Sequence, residues 1–384
     1  MNYTGSIKSK FPKVGTTIFT VMSAMAKEHD ALNLSQGFPD FDPPPALIQA
    51  VYQAMQKGAN QYAPMAGLMS LREQIANKMF DRYSAQFDPE KEITVVPGAT
   101  IGIYAAIASV IRENDEVLIF EPAYDSYVPA VEANGGKAVF SELKFPNYKP
   151  NWDEVKKLIT VRTKMIIINS PHNPTGSIFS AQDMMKLEKL VKDRDIVILS
   201  DEVYEHIIFD GVEHQSIARF PNLAKRSFIV YSFGKTYHAT GWKMGYVIAP
   251  EELTEEFRKI YQYMAFACNT PMQHAFAEIM QQSDLYDELG VLYCEKRDYF
   301  LQGLKNSKFK FKPSLGTYFQ LLDYSKISES DEMEFAEWLV KEKKIAAIPV
   351  SSFYRKKDNN KVLRFCFAKN NDTLNRAIDI LCNL

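Results

Sequence analysis

A hydroxyl and two amines occur close together where an apolar run of the sequence ends. Residues 228–231 are predicted to form a buried strand, and Ser232, Lys235 and Lys243 follow it. Strand ends of this kind line ligand crevices in open α/β sheets. A lysine amine in such a crevice can act as a nucleophile and carry protons. Taken alone, Lys235 would be interpreted as a solvated loop lysine, so its interpretation depends on the residues that accompany it.

Two backbone N–H groups are predicted to bind an anion. Residues 93–96 form a short β-branched strand, and the turn after it leads directly into an apolar helix over residues 101–111. The N–H groups of Ala99 and Thr100 then lie at a helix N-terminus, where they have no partner within the helix. Because the aligned peptide dipoles favour negative charge at that end, the turn is a candidate phosphate site.

Two further strand ends carry polar side chains. The continuous apolar run 164–170 indicates a strand buried on both faces, and Asn173 follows it immediately before a proline. A residue before proline is held extended, so the Asn173 amide can project into the crevice. The next apolar run, 196–200, ends at Asp201. For Asp201 and for Glu202, whose side chain would point the opposite way, helix capping is the alternative interpretation.

The segment 232–246 (SFGKTYHATGWKMGY) resembles the cofactor-lysine motif of the class I/II aminotransferases, which are fold type I enzymes dependent on pyridoxal phosphate (PLP). The resemblance extends over nearly the whole chain. Lysine at Lys243, where arginine is commoner, makes the chain most similar to the branch of methionine and kynurenine aminotransferases. The resemblance implies that Lys235 forms a Schiff base with the PLP aldehyde and carries a proton while an amino group passes to a 2-oxo acid.

The resemblance also implies how the cofactor is held. Four groups would bind its phosphate, a carboxylate would keep its ring nitrogen protonated, an aromatic ring would stack on it, and two polar side chains would hold its O3′ oxygen. These residues are Ser232, Lys243, Ala99 and Thr100 for the phosphate, Asp201 for the nitrogen, Tyr124 in preference to Tyr127 for stacking, and Asn173 and Tyr204 for O3′. NAD binding would require a GxGxxG turn after the first strand, which the sequence lacks.

Substrate contacts and assembly follow from the same resemblance. Arg364 alternates with apolar neighbours on a predicted strand, and the matching family arginine binds the substrate α-carboxylate as a two-pronged fork, which lysine cannot form. A salt-bridged edge arginine is the alternative. Gly37 would contact the substrate carboxylate through its backbone, Asn173 would also bind substrate, and Phe19 would line the side-chain pocket. Tyr62 would reach across a homodimer interface to the phosphate bound by the partner.

The donor side chain is predicted to be uncharged. By the resemblance, residues 263–268 (YMAFAC) lie where dicarboxylate-selective enzymes offer a second arginine, and they contain no basic residue. With Phe19 they would form an apolar wall, against which a desolvated carboxylate costs several kcal/mol. We therefore expect methionine first, then other neutral or aromatic donors, unless Phe266 packs inside a helix pair. A kynurenine or aromatic aminotransferase, a cysteine-S-conjugate β-lyase and a non-enzymatic PLP-binding regulator are also compatible with these residues.

The composition limits the function classes further. Lysine plus arginine number 45 against 47 acidic residues, so the net charge of −2 gives no general attraction to nucleic acid or anionic membranes. The four cysteines are scattered without a CxxC pair, which indicates neither a zinc site nor a disulfide framework. Because the sequence contains no signal-like or bilayer-length apolar run, we expect a cytoplasmic protein.

The 384 residues exceed what a single core usually accommodates, so two domains sharing a cleft are expected. We predict an α/β fold with an N-terminal arm over residues 1–44, a large PLP-binding domain over 45–284 and a small α+β domain over 285–384. The resemblance implies a mostly parallel seven-stranded sheet flanked by helices in the large domain. In the small domain the pattern predicts strands around 309–311, 317–322 and 362–367.

Overall fold

The computed structural model describes residues 5–12, 14–356 and 359–384. Helices and strands alternate along much of the chain, as expected of an α/β fold. The first elements are α1 (Ile18–Glu28), β1 (Leu32–Asn33), α2 (Pro45–Gln56), α3 (Met69–Tyr83), β2 (Ile93–Val96), α4 (Ala99–Val110), β3 (Glu116–Glu121), α5 (Tyr127–Ala133), β4 (Lys137–Glu142), α6 (Trp152–Leu158), β5 (Thr163–Asn169), α7 (Ala181–Val191) and β6 (Val197–Asp201). They are followed by α8 (Pro221–Ala224), β7 (Ser227–Ser232), α9 (Phe233–Thr236), β8 (Gly245–Ile248), α10 (Glu251–Met264), α11 (Thr270–Ile279), α12 (Asp284–Asp287), α13 (Leu289–Gly303), β9 (Phe319–Asp323), α14 (Glu332–Lys343), β10 (Ile345–Ala346), β11 (Ile348–Pro349), β12 (Val362–Cys366) and α15 (Asn371–Cys382).

A seven-stranded sheet with the order β2-β8-β7-β6-β5-β3-β4 forms the centre of the fold. β8 is antiparallel to both of its neighbours, β2 and β7, and the other pairings are parallel. The predicted mostly parallel seven-stranded sheet is therefore confirmed. Residues 165–169 of β5 are all buried, which explains the continuous apolar run from which this strand was predicted.

Alternate residues of the central strands face two different apolar cores. In β7, Phe228 and Val230 pack in the same core as Phe257 of α10, whereas Ile229 and Tyr231 lie in the core on the other face. The sheet is thus covered by helices on both sides, and its carboxyl edge is left to bind a ligand.

A second, three-stranded antiparallel sheet has the order β11-β12-β9. β9 begins at Phe319, later than predicted, because Thr317 has a φ of 64°, outside the strand region. The strand predicted around residues 309–311 is wrong, since an isolated bridge between Lys310 and Asp323 occurs there instead.

The N-terminal arm pairs with the carboxyl-terminal part of the chain. β1 is parallel to β10, with Leu32 opposite Ile345. The backbone N–H of Cys366 donates to the Leu34 carbonyl over 2.9 Å. The arm therefore adds backbone to the region predicted as the small domain, although the domain boundaries themselves stay a prediction.

In the part of the chain that the structure describes, no helix combines the length and the apolar character needed to cross a membrane. The same residues contain no cluster of His, Cys, Asp and Glu side chains placed to bind a metal ion. All four cysteines are free.

Candidate active site

A cavity of about 270 Å³ lies at the carboxyl edge of the large sheet. Asn169, Asp201 and Ser232 end the adjacent strands β5, β6 and β7, and all three line the cavity. Twelve of the predicted site residues line this cavity: Phe19, Gly37, Ala99, Thr100, Tyr124, Asn173, Asp201, Tyr204, Ser232, Lys235, Lys243 and Arg364. Tyr62 is the one predicted site residue that does not line it.

Lys235 lies on α9, a short helix that begins directly after β7. Its Nζ donates to the Gly37 carbonyl over 3.2 Å and to Tyr318 Oη over 2.8 Å. Burial, together with the nearby cations Lys243 and Arg364, lowers the pKa of Lys235 to about 8. An appreciable fraction of this amine is therefore neutral, and so nucleophilic, near physiological pH.

The first turn of α4 forms an anion cradle. The N–H groups of Ala99 and Thr100 make no hydrogen bond within the described chain, and no side chain caps this helix. Gly98, which precedes them, has a φ of 87°, and a Cβ built on it would lie 3.1 Å from Lys243 Cε and 3.3 Å from its Nζ. Free N–H groups at a helix N-terminus, with an ammonium and the Ser232 hydroxyl beside them, fit a phosphate.

Asp201 is a buried carboxylate held by neutral donors. Its Oδ2 accepts from Tyr127 Oη over 2.6 Å and its Oδ1 from the Val203 N–H over 3.4 Å. Burial raises the pKa of Asp201 to about 6, and the hydrogen bond from Tyr127 opposes that shift. No described lysine or arginine forms an ion pair with it, so Asp201 suits a cationic ring nitrogen brought by a ligand.

Two aromatic side chains, those of Tyr124 and Tyr204, line the cavity. Tyr124 lines it, whereas Tyr127 lies beneath, with its ring edge-on to Tyr124 at a centroid distance of 5.7 Å. Of the two rings, only that of Tyr124 is therefore exposed to the cavity, and its stacking on a ligand stays a prediction. Tyr204 also lines the cavity, and burial raises the pKa of its phenol, which keeps it neutral.

Arg364 is a buried cation without a carboxylate partner among the described residues. Its Nη1 donates to Asn173 Oδ1 over 2.6 Å and its Nη2 to the Ser35 carbonyl over 2.9 Å, but its buried Nε has no partner. The Phe319 ring lies 3.8 Å from the guanidinium, and burial lowers the pKa of Arg364 to about 10. The salt-bridged edge arginine is therefore wrong, because β12 is the middle strand of its sheet and Arg364 forms no ion pair there.

The arm closes one side of the cavity. The Phe19 ring of α1 lies 5.3 Å from the Arg364 guanidinium. Gly37 packs so tightly that a Cβ on it would lie 2.5 Å from Phe319 Cζ, and its carbonyl accepts from both Lys235 and Tyr318. A glycine is therefore required here, because the backbone must approach the rings and the amine closely.

Tyr62 lies outside the cavity and is 84% exposed. Its ring contacts Phe266 edge-on at a centroid distance of 5.3 Å, and Tyr263 beside them is 86% exposed. Phe266 has a φ of 63° in the break between α10 and α11 and is half exposed. Packing of Phe266 inside a helix pair is therefore wrong, and within one chain residues 263–268 do not line the cavity beside Phe19.

Glu202 directly follows β6, and its side chain points to the opposite side of the sheet from that of Asp201, as predicted. Its carboxylate accepts from Ser200 Oγ over 2.8 Å, from the Ile217 N–H over 2.9 Å and from Tyr231 Oη over 3.1 Å. His214 Nε2 lies 2.9 Å from the same group. These contacts hold Glu202 in the core behind the sheet, away from the cavity.

Two residues that support the site were not predicted from the sequence. Tyr318 contacts the Lys235 amine, and Asn169 accepts from the Asn173 N–H over 2.8 Å and donates to the Asp201 carbonyl over 2.9 Å. Asn169 lies one residue before the end of the predicted strand 164–170, so its position at the carboxyl end of a strand is a signal for a site residue. Tyr318 stands in the run 316–319 (GTYF), which indicates a turn and a strand but not what the ring contacts.

Three comparisons with known proteins agree with this geometry. The family profile "Aminotransferase class I and II" matches residues 29–381. The chain is 44% identical over 378 residues to methionine aminotransferase of Escherichia coli (strain K12), covering 98% of each chain, and 33% identical to kynurenine–oxoglutarate transaminase 1 of Homo sapiens, covering 92% of each. A crystal structure of Escherichia coli YbdL, assigned a methionine aminotransferase function, superposes with a TM-score of 0.97 at 44% identity, covering 99% of this chain and 100% of that one. The chain therefore belongs to the class I and II aminotransferases and is a PLP-dependent enzyme of the branch that includes methionine and kynurenine aminotransferases.

Proposed function

We propose that this enzyme moves the amino group of methionine, and of other neutral or aromatic L-amino acids, to a 2-oxo acid by a ping-pong mechanism. The observation that carries the proposal is the set of basic side chains in the cavity. Among the described lining residues these are Lys235, Lys243 and Arg364, and each is already assigned to the cofactor or to the α-carboxylate. No further cation is left for a distal carboxylate. The 44% identity to the methionine aminotransferase of Escherichia coli supports the same donor.

The residues that would hold PLP are those predicted. The Ala99 and Thr100 amides, with Ser232 and Lys243, would bind the phosphate, and Tyr124 would stack on the ring. Asp201 would hold the ring nitrogen, and Asn173 and Tyr204 the O3′ oxygen. When bound, PLP supplies an electron-accepting ring that stabilises negative charge at the donor Cα.

Arg364 would bind and orient the donor. Its unpartnered Nε and one adjacent Nη atom can form the two parallel hydrogen bonds that a carboxylate accepts. Asn173 holds the guanidinium from the side through Nη1, and Phe319 packs against its face, so the fork has one orientation. The α-carboxylate bound there places the donor Cα in the same cavity as the Lys235 amine.

Lys235 would move the proton. With a pKa of about 8, its Nζ can take the Cα proton of the bound donor and return it within the same cavity. Burial of the cavity excludes bulk water from this exchange, which favours transfer over loss of the proton. One water molecule supplies the oxo oxygen as the first 2-oxo acid leaves, and the nitrogen stays in the enzyme. A second 2-oxo acid then takes up the nitrogen, and its oxo oxygen leaves as water.

The rest of the lining favours an apolar donor side chain. Phe19, Phe38, Ile103 and Met244 contribute apolar surface to the cavity. A carboxylate desolvated against this surface without a partner would cost several kcal/mol. Burial of a thioether or a ring would instead contribute roughly 1.5–3 kcal/mol.

We further propose that the working unit is a homodimer in the cytoplasm. Tyr62, Tyr263, Met264 and Phe266 present exposed apolar surface outside their own cavity, which a second copy of the chain would cover. In that arrangement Tyr62 would reach the phosphate in the partner's cavity. The net charge of −2 gives the protein no general affinity for nucleic acid.

A panel of kcat/KM values over the common amino acids, with one fixed 2-oxo acid acceptor, tests the proposal. We expect methionine and the aromatic amino acids to exceed aspartate and glutamate by roughly a hundredfold or more, because the distal carboxylate has no cation. Ammonia and pyruvate are measured in the same assays, since their release would identify β-lyase chemistry instead. A higher kcat/KM for aspartate than for methionine would contradict the donor assignment but not the proposed PLP site.

A further inference from the structure

We propose that the Tyr318 hydroxyl is a positioning group for the Lys235 amine, an inference that rests on the role proposed above for Lys235. Lys235 Nζ lies 2.8 Å from Tyr318 Oη and 3.2 Å from the Gly37 carbonyl oxygen. Tyr318 Oη lies 2.6 Å from that same oxygen. The three groups come from α9, from the residue before β9 and from the arm, and they form a closed triangle of hydrogen bonds.

The direction of each bond follows from what the groups can donate. The Gly37 carbonyl can only accept, and the buried Tyr318 phenol is neutral because burial raises its pKa well above the usual value. The phenol O–H therefore donates to Gly37, and the phenol oxygen accepts an N–H of Lys235. A neutral amine has two N–H groups and one lone pair. With both N–H groups occupied, the lone pair points away from Gly37 and Tyr318, and it is free for a ligand in the cavity that Lys235 lines.

The local backbone fixes where Tyr318 points. Thr317 is fully buried with a φ of 64°, and its Oγ1 accepts from the Phe319 N–H over 3.2 Å. The Tyr318 ring packs edge-on against Tyr204 at a centroid distance of 5.2 Å, while the Phe319 ring lies 3.8 Å from the Arg364 guanidinium. One dipeptide thus supports both the amine that moves the proton and the guanidinium that binds the α-carboxylate.

Loss of the hydroxyl would leave the amine one acceptor, the Gly37 carbonyl. The Lys235 amine could then rotate about that single bond, so its lone pair would no longer be held in one direction. Proton transfer depends on this direction, whereas binding of the donor carboxylate depends on Arg364. We therefore expect an effect on turnover with little effect on donor binding.

The test compares Tyr318→Phe with Tyr293→Phe in the holoenzyme. Tyr293 is a matched control because it is equally buried, its ring lies 5.7 Å from that of Tyr318, and its hydroxyl contacts His238 Nδ1 over 2.9 Å. We expect kcat to fall roughly tenfold or more in Tyr318→Phe, with the donor KM changed by less than about twofold. Tyr293→Phe should keep both values near those of the wild type.

Capture of the cofactor gives a readout that is independent of turnover. When PLP is added to enzyme stripped of it, the absorbance change that marks capture by Lys235 should develop roughly tenfold more slowly in Tyr318→Phe than in Tyr293→Phe. Equal capture rates and equal kcat in the two variants would overturn the inference. Lys235→Ala, measured in parallel, should show no such change, and full turnover by that variant would overturn the proposed function itself.

A second variant keeps the test decisive if Tyr318→Phe is not recovered in folded form. Replacement of Tyr318 by 3-fluorotyrosine preserves the hydroxyl and nearly the whole volume but makes the phenol oxygen a weaker acceptor. The same replacement at Tyr293 is its control. We expect slower PLP capture after replacement at Tyr318, and equal rates in the two proteins would contradict the positioning role.

Discussion

At the scale of single residues, burial determines the chemistry of the two functional cations. Desolvation lowers the pKa of Lys235 to about 8 and that of Arg364 to about 10. Within the described residues neither side chain forms an ion pair with a carboxylate, so neither is part of a structural salt bridge. Both charges are thus left to interact with ligands, and the cofactor and the amino acid carry the matching groups.

The lowered pKa of Lys235 predicts a specific pH dependence. The ammonium is disfavoured in the folded protein, so the amine becomes neutral as pH rises through about 8 rather than through the ordinary lysine value. In enzyme stripped of PLP, labelling of Lys235 by acetic anhydride should therefore rise between about pH 7 and 9 and then level off. Peptide mass spectrometry measures the acetylated fraction of Lys235, and the exposed Lys305 serves as the internal reference. A labelling midpoint above pH 10 would contradict the prediction.

At the scale of elements, the anion cradle is formed where a strand turns into a helix. β2 ends at Val96, and α4 begins at Ala99 without a side-chain cap. Gly98 adopts the left-handed φ of 87° that this tight turn requires, and it leaves room for Lys243. The antiparallel strand β8 follows Lys243 and pairs with β2, so the cation and the free N–H groups meet at one edge of the sheet.

Gly98→Ala is predicted to weaken PLP binding through Lys243. The added Cβ would lie 3.1 Å from Lys243 Cε and displace the ammonium from the cradle. Gly58→Ala is the matched control, because Gly58 also has a φ of 87° but nothing lies within 4 Å of the added atom. Both variants should lose about 1 kcal/mol of stability in urea unfolding. The PLP dissociation constant, measured by absorbance titration, should rise roughly tenfold in Gly98→Ala alone. Equal PLP affinities in the two variants would contradict the assignment of Lys243 to the phosphate.

At the scale of the whole molecule, an exposed apolar patch outside the cavity supports the proposed homodimer. Tyr62 and Tyr263 are both more than four-fifths exposed, and Met264 and Phe266 beside them are also exposed. Contiguous exposed aromatic and apolar side chains are typical of interaction sites. A second copy of the chain would bury this patch and bring Tyr62 to the partner's cavity.

Mixed dimers are predicted to recover activity from two inactive variants. A dimer of one Tyr62→Ala chain and one Lys235→Ala chain would contain one cavity with Lys235 present and an intact Tyr62 supplied across the interface. Turnover should therefore appear after subunit exchange, whereas mixing two preparations of Lys235→Ala should yield none. Sedimentation measures the assembly, and a monomer at assay concentration would contradict the dimer.

Much of the fold and of the site could be predicted from the sequence because the signals are local. An apolar run followed by a turn marks the end of a strand, and in a parallel sheet such ends meet at one edge. Asn173, Asp201 and Ser232 were located in this way, and the structure brings them to one cavity. The segment around Lys235 was sufficient to identify the family, since its motif is also contiguous in the sequence.

The tertiary structure alone decided the contacts that join distant segments. Tyr318 meets Lys235 across 83 residues, and Arg364 meets Asn173 across 191, so no periodicity links either pair. It also placed Tyr62 outside its own cavity and replaced the predicted strand at 309–311 by an isolated bridge. The physical reason is that residue pattern encodes which face of an element is buried, whereas the partner of a buried polar group depends on how whole elements pack.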